Sequence, residues 1–212
     1  MATSLAASKP LGAADQASST YLRFAGVCAV LAGALTLVYS ISFILLVNEA
    51  LSSLSLLASG LLATAVLVGL YELTRHTEAS FALLGLLLGL AGGIGAALHG
   101  GYDLAALLHP HAPVDPNLPS PVDPRGLLTF GATGIGLWVF AWLILRGRSL
   151  PAPIGYLGYV VAALQIILYL GRLILFDATN PVIVVPALLA GFIATPVWYV
   201  WLGVSLWRGA RA

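Results

Sequence analysis

The sequence predicts an all-α protein, a polytopic membrane bundle of six transmembrane helices with both termini cytoplasmic. Three observations predict it. Hydrophobic residues make up 60% of the 212 and charged residues 8%, where a soluble domain needs roughly 25% charged residues to cover its surface. Mean hydropathy is +1.00. The apolar residues also fall into six continuous runs, each near the roughly 20 residues that a helix needs to cross the hydrocarbon core. None of the runs alternates as a barrel strand does, and in lipid only helices and closed barrels satisfy their own backbone.

The first run is about Tyr21–Val47 and the second about Leu51–Leu73. The third is Phe81 to about Leu108, with its last turns beyond the hydrocarbon. The fourth is about Gly126–Leu145, the fifth about Ile154–Phe176 and the sixth about Val182–Trp207. Pro124 precedes the fourth, while Pro153 and Pro181 open the fifth and sixth; proline fits a first helical turn because that N–H has no helical partner. Residues 1–20, rich in Ala and Ser, have no apolar core and read as a mobile cytoplasmic tail rather than a secretory signal. One membrane domain, 21–208, follows.

Orientation comes from arginine and lysine. Lys9, Arg23, Arg75, Arg146, Arg148, Arg208 and Arg211 fall on one side, and only Arg125 and Arg172 on the other. The loops are short, so the richer side is the cytoplasm. His99, His109 and His111 lie on the outer side with Asp103 and Asp115, and this is where the polar chemistry gathers. A single lysine against eight arginines, with abundant Ala, Leu and Gly, suggests a bacterial chain and hence the bacterial inner (plasma) membrane. A net charge of +1 without a basic run offers nothing to nucleic acid. Cys28, the only cysteine, sits in an apolar run as a small packing residue.

Span three carries Gly85, Gly89, Gly93, Ala97 and Gly101, with Gly92, Ala96 and Gly100 as a second ridge. Such ridges let backbones approach closely where lipid supplies no hydrophobic drive between helices. On span five, Gly155, Gly158, Ala162, Gln165, Tyr169 and Arg172 share one helical stripe. Its outer half is polar, and Gln165 is the only amide inside any apolar run. His99 and Asp103 are four residues apart on one face of span three, at about the depth of Arg172. An Asp103–Arg172 pair joining spans three and five would remove most of the cost of a charge this near hydrocarbon. The candidate ligand-binding residues are therefore His99, Asp103, Gln165, Tyr169 and Arg172, with Tyr39 and Ser40 of span one beside them. The bland alternative is a structural clasp.

The outer loop, 109–125, reads "HPHAPVDPNLPSPVDPR"; its prolines exclude helix and favour a stiff extended backbone. In that backbone His109 and His111 point the same way, and with a carboxylate from Asp115 or Asp103 they make a candidate divalent-metal set of a common zinc type. Solvated loop histidines are the plain alternative, and no cofactor is strongly implied. No Walker loop, GxSxG elbow or dinucleotide fingerprint occurs. In span six, Pro196 should kink the helix, and Trp198, Tyr199, Trp201 and Trp207 read as an interfacial aromatic belt.

With "HGGYDL" (99–104), "PVDPRGLLTFG" (121–131) and "PVWYVWLG" (196–203), the chain resembles small uncharacterised bacterial six-span membrane proteins of a domain-of-unknown-function kind. That resemblance implies a plasma-membrane bundle and no activity, and it carries over no functional residue. Three functional readings follow from the residues. The first is a non-enzymatic membrane protein with an outward-facing polar pocket between spans three and five for a small solute, lipid headgroup or cation. The second is an accessory subunit packed against a larger membrane complex. The third is a membrane-embedded, metal-dependent hydrolase.

Overall fold

The structure is a computed structural model that describes residues 13–109, 126–175 and 179–209, with side chains from residue 19. Among the described residues there are helices and no strands. Six helices are long and apolar enough to cross a membrane: Ser19–Leu45, Glu49–Thr74, Ala79–Leu108, Leu127–Gly147, Ala152–Leu175 and Pro181–Gly209. They are spans one to six below. Their ends fall within a few residues of those expected. The helix of span one is already formed at Ala13, inside the segment expected to be tail; residues 1–12 lie outside the described residues.

Local chemistry sets the boundaries. Asn48 caps span two, its side-chain oxygen accepting from Leu51 N at 2.9 Å. Asn180 does the same for span six through Val182 N at 3.0 Å, with Pro181 as the first helical residue. Arg148 leaves span four in the left-handed region at φ 52°.

Neighbours follow chain order. Span one packs on two, two on three, three on four, four on five and five on six, and the second half of span six returns to span one. The spans thus close a ring, and the two termini leave it on the same side. The glycine ridges of span three lie inside the ring wall. Gly93 and Gly100 face Gly60, Ser53 and Leu57 of span two, and Gly85 and Gly92 face Phe140 and Thr133 of span four. Span four therefore stands between spans three and five, and those two share no packed interface. The expectation that they pack directly is corrected. Small residues on span four, not on span five, are what lets a neighbour approach span three: a Cβ on Gly136 would sit 2.7 Å from Gly89 N.

The two halves of the ring are filled differently. On the side of the termini, Leu70, Phe140, Ile144, Ile154, Trp198, Leu202 and Leu206 form a dry core at 2% exposure or less. Trp198 belongs to this core, its indole Nε1 donating to Ile154 O at 3.1 Å. The aromatic-belt expectation therefore fails for Trp198, whereas Trp201 and Trp207 remain partly exposed. Glu78 pairs with Arg146 at 3.6 Å, and Arg146 lies 5.1 Å over the Trp142 ring, closing that end.

Candidate functional site

The opposite half of the ring holds only a small core of Leu168, Ile183 and Ala190. A cavity of about 170 Å³ lies there, and every one of the six spans contributes to its wall. Its polar side chains are Thr36, Tyr39 and Ser40 from span one, Ser59 from two, Thr129 and Thr133 from four, Gln165 and Arg172 from five, and Thr195 and Tyr199 from six. Glycine and alanine form the wall on span three, so the bare ridge expected to serve packing also leaves the space. Leu56, Leu67, Leu137 and Leu168 supply apolar surface. Tyr199, expected in the interfacial belt, lines this cavity instead. With a backbone turn of 3.6 residues, a side chain next to Trp198 faces a different direction, and here that direction is inward.

Three stretches of the wall are π-helical. They are Ile41–Leu45 at the end of span one, Leu127–Ala132 at the start of span four and Ala190–Ala194 in the middle of span six. Each contributes lining residues: Phe43 and Ile44, Thr129 and Phe130, and Ala190 and Gly191. π-helical turns are rare and recur at functional sites, because the extra residue loosens the i→i−4 ladder. In span six the turn lies between Pro186 and Pro196, and Pro196 cannot donate to the ladder that follows it.

The hydroxyls of span one are spent on their own helix. Thr36 donates to Ala32 O at 2.8 Å, Ser40 to Thr36 O at 3.1 Å and Ser42 to Val38 O at 2.6 Å. On span two, Ser59 donates to Leu56 O at 3.0 Å. Three other lining residues are not satisfied in this way. Gln165 Oε1, Thr129 Oγ1 and Thr195 Oγ1 are buried with no hydrogen-bond partner among the described residues. A buried polar atom without a partner costs roughly 1–3 kcal/mol, so three around one cavity mark it off from ordinary packing.

The five candidate residues separate into three groups. Gln165 and Arg172 line the cavity, two turns apart on span five, or roughly 10 Å along its axis. His99 and Asp103 pair with each other, Nε2 to Oδ2 at 3.4 Å, and neither is part of the wall. Tyr169 packs under span four, where a Cβ on Gly131 would meet its ring at 3.2 Å. The Asp103–Arg172 ion pair does not form. Among the described residues the ion pairs are Glu72–Arg75, His99–Asp103 and Glu78–Arg146.

For the metal set, His109 is the exposed residue that ends span three, and His111 and Asp115 lie outside the described residues. Among the described residues no three His, Cys, Asp or Glu side chains converge. Sequence reasoning missed Thr129, Thr133, Thr195 and Tyr199. The only signals were the four-residue spacing of Thr129 and Thr133 and the proline beside Thr195. No family model matches the chain, nor does any curated protein or solved structure.

Proposed function

We propose that this multi-pass membrane protein is a binding protein that holds a small ligand in the centre of its helix ring, at the end away from the termini. The observation that supports this best is the cavity at that end, with Gln165, Thr129 and Thr195 around it each keeping a buried oxygen without a partner among the described residues. Membrane helices associate through close packing and interhelical hydrogen bonds, and a cavity with orphaned polar atoms forfeits both unless something occupies it. On the arginine and lysine bias the termini face the cytoplasm, so the cavity is reached from outside, across the inner membrane of a bacterium.

Native mass spectrometry of gently solubilised protein tests the reading. The wild-type chain should carry an additional mass that Ala96→Leu, which fills the wall at span three, displaces. A bare chain mass in both, with equal thermal stability, overturns it.

A further inference from the structure

Given that reading, we propose that the cavity selects a small amphiphile: an apolar body about the size of a benzene ring, bearing one carboxylate or phosphate that is held by Arg172. The charge argument comes first. Among the described residues Arg172 is the only formally charged side chain in the wall, and none of the ion pairs among them involves it. Asp103, the acidic residue expected to pair with it, lies against His99 instead, Oδ2 to Nε2 at 3.4 Å. A guanidinium next to hydrocarbon favours a planar or tetrahedral oxyanion, which it holds through paired N–H donors. A cationic ligand would instead meet Arg172, with no carboxylate among the described lining residues to receive it.

The Gln165 amide stands two turns in from Arg172, with Leu168 between them on span five, and Leu67 and Leu137 from spans two and four also line the space. Beside the one guanidinium the lining is thus largely apolar with a few hydroxyls and one amide, which suits an apolar body that carries a single anionic group. Size completes the argument. A cavity of about 170 Å³ compares with the roughly 150 Å³ that accommodates benzene, and is well below the ~300 Å³ where drug-sized ligand sites begin. A free aromatic or short-chain carboxylate fits entirely. A phospholipid would place only its phosphate there.

Purified full-length protein tests this with probes of matched size and different charge: hexanoate and benzoate against hexanol and hexylamine. Thermal stabilisation in detergent and equilibrium binding of radiolabelled benzoate are the readouts. Wild type should be stabilised by the two carboxylates and not by the amine. Arg172→Gln should weaken carboxylate binding about 10- to 100-fold, while Arg172→Lys, which keeps the charge and loses the fork, should fall between them. Each variant is first melted without ligand; Gln165→Leu serves as a second variant, lowering carboxylate affinity while leaving the preference over the amine intact.

Co-purifying phospholipid that Arg172→Gln sheds in the mass spectrum assigns the anion to the bilayer; binding of hexanoate without such lipid assigns it to a free solute. Equal binding of hexanoate, hexanol and hexylamine overturns the anion proposal and leaves the binding-protein reading intact. Failure of every probe, with a bare chain mass, overturns both.

Discussion

Arg172 and Gln165 show how one helix can serve two purposes with residues that differ by two turns. Gly158 and Gly155 on the same stripe allow spans four and six to come close, the Trp198 indole lying 3.1 Å from where a Cβ on Gly158 would be. The stripe then changes from packing to chemistry as it passes the middle of the membrane. Single glycines elsewhere are equally demanding. Gly136→Ala would drive a methyl group into the backbone of span three at Gly89 and should cost about 1–3 kcal/mol, seen as a lower melting temperature in detergent. Gly209→Ala, with nothing within 4 Å, should melt like wild type. Trp198→Phe removes the indole N–H that donates to Ile154 O and part of a fully buried ring, and should lose roughly 1–3 kcal/mol in the same assay.

At this scale the sequence was partly legible. Gln165 could be singled out because an amide in an apolar run has no competing explanation. Thr129 and Thr195 could not, because threonine hydroxyls on helices normally return to a carbonyl one turn back, as Thr36 does, and nothing local distinguishes the exceptions. Asp103 and Arg172 were expected to meet because they share a depth, but depth is one coordinate of three.

Among the elements, span six is the least regular. It runs as helix, π turn and helix, with Pro186 before the turn and Pro196 after it. A π turn holds one residue more than the α-helical path it replaces, so the faces before and after it keep their inward direction. Deleting Ile193, which is exposed at 57% on the lipid side, should therefore be tolerated, with the helix straightened and the cavity wall at Ala190 and Gly191 altered. Deleting Val200, outside the π turn, should rotate Leu202 and Leu206 out of the core by about 100° and abolish the folded species. Size-exclusion profiles of the two deletions make the comparison. The six spans themselves were legible because crossing length and apolarity are local properties. Which span lies beside which was not, since apolar helices with small-residue ridges are close to interchangeable in sequence, and the position of span four between three and five depends on the whole ring.

For the molecule as a whole, the division into a dry core on the side of the termini and a cavity on the other makes it polar along the membrane normal. The arginine and lysine bias predicts the termini on the cytoplasmic side, and the chain lends itself to a direct test. Cys28 is the only cysteine and is 3% exposed, so a cysteine introduced on the surface reports alone. In intact cells, His109→Cys should react with a membrane-impermeant maleimide and His76→Cys should react only after lysis. The reverse pattern would place the cavity on the cytoplasmic side.

The seam between spans one and six carries a last consequence, for biosynthesis. Gly26 and Gly203 meet there backbone to backbone, a Cβ on either falling within 2.8 Å of the other's carbonyl oxygen. Four spans separate these two residues in the chain, so span one waits for span six before the ring can close. Until span six is in place, Arg172 and Gln165 face an open arc rather than a closed interior.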